Sequence, residues 1–217
     1  GVHTFLVDGR RVSRDLLDSA LELAFLERHL GISRGPVRTI LDIGAGYGRL
    51  AHRTATAFPE SVRYLCTDAI PTSTFLCEYY LGFRGVAGHE SSPARVLPLD
   101  ELESAVPPGT VDVAVNIHSF SECAPGAIDA WLAFLARKRV GHLMVVPNAV
   151  TYDGSDGSDG AAGADGVTMR TNEGLDFTRI VHRHGYRLVA SEPKFADPVV
   201  QEYGLSPAAH LLFRLQS

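Results

Sequence analysis

One segment carries most of the information about the fold: LDIGAGYGRL, from Leu41 to Leu50. An apolar strand pattern runs into a turn with glycine at every second position, and a helical pattern follows. Glycine lets the backbone adopt positive φ and lie against a ligand, and the next helix offers unpaired N–H groups to a negatively charged group. The segment therefore predicts a turn that cradles a nucleotide-like cofactor.

The spacing of the glycines separates two kinds of cofactor turn. The dinucleotide fingerprint Gly-x-Gly-x-x-Gly/Ala requires a small residue at position 49, where this chain has Arg49. The next apolar segment, 64–67, ends in Asp68, twenty residues after Gly48. In such folds an acid at this place binds both hydroxyls of a ribose. The glycine turn and the acid together indicate a cofactor-binding site more specifically than either feature alone.

These residues resemble motif I and the ribose acid of the class I S-adenosylmethionine-dependent methyltransferases. The resemblance implies S-adenosylmethionine as cofactor and S-adenosylhomocysteine as product. Asp42 stands at the place of the motif I acid, and the backbone from Gly44 through Ala45 and Gly46 to Tyr47 would wrap the methionine part. The resemblance implies further cofactor contacts at the ends of later strands: Asp68, Ala69, Ile70, Leu97 and Asn116.

Composition limits the class of protein. The 217 residues suit a single domain, 1–217, with one substantial core. The net charge of −5, with 25 acids against 20 bases, gives no basic surface for nucleic acid. No apolar run reaches membrane-spanning length, so we expect no membrane partner. The three scattered cysteines predict reduced thiols and a cytoplasmic protein.

Strand-like and helical patterns alternate along the chain. Strands are predicted near 39–43, 62–67, 94–98, 111–117, 142–146, 186–191 and 209–215, and helices near 14–30, 48–58, 73–82, 127–139 and 174–184. This alternation indicates an α/β fold, a Rossmann-like doubly wound sheet of seven strands that is mostly parallel. No helical pattern separates the last two strands, so we predict a reversed last strand beside its predecessor, as the class I methyltransferases have.

Two segments depart from the alternation. Residues 1–35 form an N-terminal segment whose helix buries an apolar face of Leu16, Leu17, Ala20, Leu21, Ala24 and Phe25. Residues 151–170 include the low-complexity run from Asp153 to Gly166, which predicts a flexible Gly/Asp-rich loop, either a linker or a lid. Gly141 and Gly185 are predicted to cap helices.

The fourth predicted strand has the most polar exit, Asn116 to Glu122. The segment Asn-x-x-Ser-Phe-x-Glu at 116–122, with Gly-Tyr-Gly-Arg-Leu at 46–50 and Gly-x-x-Val-Ser at 9–13, resembles a bacterial family of sugar O-methyltransferases. The resemblance implies a sugar hydroxyl as the methyl acceptor. A sugar hydroxyl is weakly acidic, so a general base is useful, and His118 is the candidate because its ordinary pKa suits neutral pH.

Other side chains near these strand ends have candidate roles. Glu122 would orient His118 or bind a substrate hydroxyl, and Ser119, Asn148 and Tyr152 are candidate acceptor-binding residues. Metal assistance competes with the general base, but Asn116 and Asn148 stand where some methyltransferases have carboxylate ligands, so a divalent ion is not favoured and no metal ligand is assigned.

The sequence thus predicts an S-adenosylmethionine-dependent O-methyltransferase of a sugar, glycoside or oligosaccharide. Three alternatives stay open: a metal-assisted O-methyltransferase of another small metabolite, a nicotinamide-dependent oxidoreductase, and a non-catalytic cofactor-binding or scaffold protein. The expected partner is a small-molecule or oligosaccharide acceptor, and a homodimer is left open.

Overall fold

The computed structural model describes residues 3–89, 91–152, 166–203 and 208–216. The chain divides into two compact units, Gly1–Ala105 and Val106–Ser217. The prediction of a single domain over 1–217 stays a prediction. Nearly all of the run from Asp153 to Gly166, predicted as a linker or lid, lies outside the described residues.

The first unit consists of five strands and four helices in the part that is described. The strands are β1 Thr4–Val7, β2 Arg10–Ser13, β3 Thr39–Ile43, β4 Arg63–Thr67 and β5 Ala94–Val96. The helices are α1 Arg14–Leu30, α2 Arg49–Ala57, α3 Pro71–Phe83 and α4 Leu99–Ala105. Strands β3, β4 and β5 are parallel, so their carboxyl ends, followed by Gly44, Asp68 and Leu97, lie along one edge.

Helix α1 has defined ends. The Ser13 hydroxyl accepts a hydrogen bond from the Leu16 N–H at 3.2 Å and so caps the first turn. Gly31 ends the helix at φ 59°, a left-handed conformation that glycine adopts without steric cost, and its N–H donates to the Glu27 carbonyl at 2.9 Å. The predicted helix over 14–30 is confirmed.

The second unit begins with strand β6 Val113–Ile117, followed by a 3-10 turn at Ser119–Glu122. The later strands are β7 His142–Val146, β8 Ala149–Tyr152, β9 Val167–Arg170, β10 Tyr186–Pro193 and β11 Ala209–Leu215. The helices are α5 Pro125–Arg137, α6 Thr178–Arg183 and α7 Pro198–Tyr203.

Seven strands form one sheet in the order β10-β11-β7-β6-β3-β4-β5. Strand β11 is antiparallel to both of its neighbours, with Phe213 opposite Leu143 on one side and Leu188 on the other. The last strand is therefore inserted between β10 and β7. The prediction of a seven-stranded, mostly parallel sheet with a reversed last strand is confirmed.

Several local predictions were wrong. Residues 4–13 form an antiparallel β1–β2 hairpin within the segment predicted as N-terminal and helical. The 151–170 range is not all loop, since its ends belong to the paired strands β8 and β9. Helix α7 lies between the last two strands, where no helix was expected, and α6 starts later than the predicted 174. Helix α5 ends at Arg137, so Gly141 does not cap it. Strands β1, β2, β8 and β9 and helices α6 and α7 have only four to six residues each, too few for a readable period.

The buried face of α1 also differs from the prediction. Leu17 and Ala20 are exposed, and the buried residues of the helix are Ser19, Glu22, Leu23, Phe25 and Leu26. Two polar residues are buried because Arg49 supplies a partner for both.

Within the described ranges no helix is long and apolar enough to cross a membrane. None of Cys66, Cys77 and Cys123 forms a disulfide within the described residues, and the first two are buried.

Candidate functional site

The glycine turn joins β3 to α2. Gly44, Gly46 and Gly48 have φ of 79°, 57° and 83°, so all three occupy the left-handed region that glycine favours. The Thr67 carbonyl at the end of β4 accepts hydrogen bonds from the N–H groups of Gly44 and Ala45, at 2.9 and 3.1 Å. The turn is thereby fixed to the neighbouring strand end, and the predicted backbone geometry is confirmed.

Two of these glycines serve different purposes. A Cβ atom on Gly48 would lie 2.9 Å from Cys77 Sγ and 3.0 Å from Leu81 Cγ, so this glycine is needed for close packing against α3. A Cβ atom on Gly46 would have no atom within 4 Å. The open space next to Gly46 is where a ligand can approach the backbone of the turn.

Asp68 lies at the end of β4 and is half-buried. Its Oδ2 accepts a hydrogen bond from the Gly46 N–H at 3.0 Å, and its Oδ1 accepts one from the Ile70 N–H at 2.8 Å. A carboxylate has about four lone-pair sites, so each oxygen keeps acceptor capacity for a ligand hydroxyl. The Ala69 and Ile70 side chains are exposed, with Ile70 at 59%, and add apolar surface next to the acid.

In the first unit, two residues that were predicted to contact the cofactor, Asp42 and Leu97, are buried instead. The Asp42 carboxylate is only 3% exposed and accepts a hydrogen bond from the Tyr64 hydroxyl at 3.1 Å. Burial raises the pKa of Asp42 to about 7, while Tyr64 and Arg49 act in the opposite direction. Leu97 is fully buried, and its N–H donates to the Cys66 carbonyl at 2.8 Å. Neither side chain presents a surface to a ligand here.

Side chains of helix α1 form hydrogen bonds with the residues at the carboxyl end of the glycine turn. The Arg49 guanidinium donates to both carboxylate oxygens of Glu22, at 2.8 and 2.9 Å, and to the Ser19 hydroxyl at 2.7 Å. The Tyr47 hydroxyl donates to Asp15 Oδ2 at 2.8 Å. This network was not predicted from the sequence. Its signal was polar residues at helical spacing, 15, 19 and 22, on one side of α1.

The exit of β6 has strained backbone. His118 is half-buried and has φ 68°, which is unfavourable for a residue with a side chain, and its N–H donates to the Val146 carbonyl at 2.8 Å. Asn116 is fully buried; its Nδ2 donates to Ser119 Oγ at 2.6 Å, and its Oδ1 accepts from the Phe120 N–H at 2.9 Å. Strain of this kind is found at functional sites where the surroundings enforce it.

The remaining predicted residues of the second unit lie near the surface. Glu122 ends the 3-10 turn and is exposed. Asn148 is also exposed; its N–H donates to Ser121 Oγ and its Nδ2 donates to Asn172 Oδ1, both at 2.9 Å. The Tyr152 and Ser191 hydroxyls are hydrogen-bonded at 3.1 Å. Ser121 and Asn172 were missed, since only the folded chain places residue 172 beside the β6 exit.

No family model and no curated protein sequence matches the chain. Solved structures do match. The crystal structure of the [4+2]-cyclase SpnF aligns with a TM-score of 0.62 at 15% identity, covering 99% of this chain and 87% of that one. Geranyl diphosphate methyltransferase in complex with S-adenosylmethionine aligns with a TM-score of 0.61 at 13% identity, over 93% and 86%. The fold is that of the class I methyltransferases.

A third structure with this class I methyltransferase fold is an S-adenosylmethionine-dependent methyltransferase from Aquifex aeolicus. Its TM-score is 0.59 at 15% identity, covering 93% of this chain and 92% of that one. At such low identity the likeness shows the fold alone. The class I methyltransferase fold does not determine the chemistry, because one of these neighbours is described as a cyclase. The chemistry depends on the side chains at the site.

Proposed function

We propose that this protein is an S-adenosylmethionine-dependent O-methyltransferase that acts on a hydroxyl of a sugar, glycoside or oligosaccharide. One observation carries the proposal: within a class I methyltransferase fold, an open glycine turn is hydrogen-bonded to an acid at the end of the next strand. The neighbouring geranyl diphosphate methyltransferase was crystallised with S-adenosylmethionine.

The donor and acceptor groups of the first unit fit that cofactor. Asp68 has acceptor capacity for the two ribose hydroxyls, and the backbone at Gly44–Tyr47 is open at Gly46 for the methionine part. The exposed Ile70 side chain offers an apolar contact for the adenine. Asp42 supports the turn from within and is not a direct ligand in this proposal.

The proposed general base is His118, at the exit of β6. S-adenosylmethionine, when bound, supplies a methyl group on a sulfonium centre. His118 takes the proton from the acceptor hydroxyl as that oxygen becomes a nucleophile, and a positioned base typically contributes about 10² to 10⁴ in rate. The hydrogen bond from the His118 N–H to Val146 fixes the backbone that carries the ring. Asn116 and Ser119 hold the strand exit in its strained form.

A sugar acceptor is supported by the sequence resemblance at 116–122 and by the polar groups around it. The exposed Asn148 and Tyr152 carry an amide and a hydroxyl, which can hydrogen-bond to ring hydroxyls, and Glu122 adds an exposed carboxylate. Among the described residues, no group of three or more His, Cys, Asp or Glu side chains is arranged to hold a metal ion. The base in this proposal is the imidazole of His118.

The test is a methyl-transfer assay with labelled S-adenosylmethionine and a panel of sugars and glycosides. His118→Gln should lower the maximal rate by about 10² or more and leave the affinity for S-adenosylhomocysteine unchanged. His29→Gln, at an exposed position of α1, is the matched control and should keep the wild-type rate. A wild-type rate in His118→Gln, or activity lost in chelator and restored by magnesium, would contradict the general-base mechanism.

A further inference from the structure

A cleft lies at the opposite end of the parallel strands from the glycine turn. It consists of two adjoining cavities of about 800 and 310 Å³ that share Arg63 and Ser92 among their lining residues. Arg63 begins β4 and Asp68 follows its end, so they are five positions apart. Extended chain rises about 3.3 Å per residue, which places the cleft roughly 16 Å from the acid of the turn.

The strand register brings three arginines to this cleft. The Arg63 N–H donates to the Arg38 carbonyl at 2.8 Å, so the two residues are backbone neighbours. Arg95 pairs with Leu65, two residues beyond Arg63 on the same strand. Side chains two residues apart share a face of the sheet, as do register partners, so Arg63 and Arg95 project from the same face. Their Cα atoms are about 8 Å apart, within the span that two arginine side chains can close around one anion.

The segment after α3 forms a wall of the cleft that has hydrogen-bond donors. Val86 and Ala94 are joined by a backbone hydrogen bond of 3.0 Å. The Ser92 N–H donates to the His89 carbonyl, and Ser92 Oγ accepts from the His89 N–H, both at 3.0 Å. The Ser92 hydroxyl accepts in that contact, so its own O–H is available to donate to an anion. Gly88 lies here at φ 108°, with no atom within 4 Å of a would-be Cβ.

The charged partner of Arg95 is easily displaced. Its Nη2 lies 3.7 Å from Glu101 Oε2, and both side chains are more than half exposed. Exposed ion pairs at this distance contribute little, so a ligand phosphate competes with Glu101 at small cost. Two phosphate oxygens can form a pair of hydrogen bonds with the planar guanidinium. This paired contact is stronger than the contact with an exposed carboxylate at 3.7 Å.

Acidic residues also line the cleft, and they restrict which anionic ligands it can bind. Glu78 lies in the larger cavity and Glu60 in the smaller one. Their carboxylates repel a long polyanion such as a nucleic acid backbone, and so does the net charge of −5. Acids beside arginines instead suit a ligand with one anionic group and several hydroxyls. We propose that this cleft binds a phosphorylated small molecule, with the phosphate on Arg63 and Arg95 and hydroxyls on Glu78.

The experiment is calorimetric titration of the full chain with ribose 5-phosphate, and separately with inorganic phosphate and ribose. Ribose 5-phosphate should bind more tightly than inorganic phosphate, and ribose should give no heat. Arg63→Gln and Arg95→Gln should each weaken binding about tenfold or more. Arg95→Lys should give an intermediate loss, because it keeps the charge and loses the planar fork. Arg10→Gln, on the exposed hairpin, should bind as the wild type does.

The titration also separates this inference from the proposed function. S-adenosylhomocysteine affinity should be the same in wild type, Arg63→Gln and Arg95→Gln, because neither arginine belongs to the proposed cofactor site. Absence of heat with ribose 5-phosphate would overturn the inference. Equal affinity in wild type and both glutamine variants would overturn it too, and melting curves of the variants verify that they are folded.

Discussion

Replacing Asp42 by asparagine should remove a large pH dependence from the stability of the protein. The Asp42 carboxylate is 3% exposed at the end of β3, and Tyr64 donates a hydrogen bond to it at 3.1 Å. Burial raises its pKa from 3.8 to about 7, with Glu22 and Asp68 adding to the shift. Asparagine has the same shape and an oxygen that still accepts from Tyr64, but it carries no charge to bury.

The direction in which stability changes with pH follows from the number of protons that the native and unfolded states bind. With a raised pKa, native Asp42 holds a proton that the unfolded chain has released, so its contribution to stability is complete below 3.8 and is lost as the pH rises through about 7. A shift of about three units corresponds to about 4 kcal/mol over the whole window. Between about pH 5 and about pH 8 the same expression gives about 2 to 3 kcal/mol.

Urea unfolding of both proteins across this range measures the effect. The unfolding free energy of Asp42→Asn minus that of wild type should rise by about 2 to 3 kcal/mol from pH 5 to pH 8. Asp100→Asn, an exposed carboxylate in the same unit, controls for the loss of one negative charge and should show no such rise. A flat difference for Asp42→Asn would refute the reasoning that a buried carboxyl is ionised at a cost.

Two further predictions concern the support of the turn. Gly48→Ala should destabilise by about 2 kcal/mol or more, because the new Cβ meets Cys77 and the φ of 83° is strained. Gly46→Ala should lower the unfolding free energy by only about 1 kcal/mol, because the new Cβ has open space and only the φ of 57° is unfavourable. This variant should instead weaken S-adenosylhomocysteine binding. Equal stability losses in the two variants would contradict the assignment of Gly48 to packing and of Gly46 to ligand binding. Glu22→Ala should lower the unfolding free energy by about 3 kcal/mol, because Arg49 would lose the paired carboxylate that is 3% exposed; urea unfolding measures this, and a loss under 1 kcal/mol would count against it.

The main sheet could be predicted from the sequence because its signals are local. The central strands β3, β6 and β7 are short, mostly apolar runs, and the boundaries found at Thr39–Ile43 and His142–Val146 coincide with the predicted ones. The glycine turn and Asp68 were also readable, since positive φ and a strand-end acid depend on residue type and spacing.

The missed features depend on contacts distant in sequence. Polar residues on a helix usually face water, yet Glu22 is buried, because Arg49 lies 27 residues further along the chain and binds it. In the same way, Asn172 reaches Asn148 only through the fold. The burial of Asp42 follows from its place in the sheet, which a motif does not convey.

The most direct test of the central claim is calorimetric titration of the wild-type protein and Asp68→Ala with S-adenosylhomocysteine and with NADH. The Asp68 carboxylate accepts a hydrogen bond from the Gly46 N–H and can still accept hydrogen bonds from ribose hydroxyls. Removing the carboxylate should therefore weaken S-adenosylhomocysteine binding by about tenfold or more. We predict that S-adenosylhomocysteine binds the wild type, binds Asp68→Ala more weakly, and that NADH binds neither. Binding of NADH to the wild type without binding of S-adenosylhomocysteine would contradict the account.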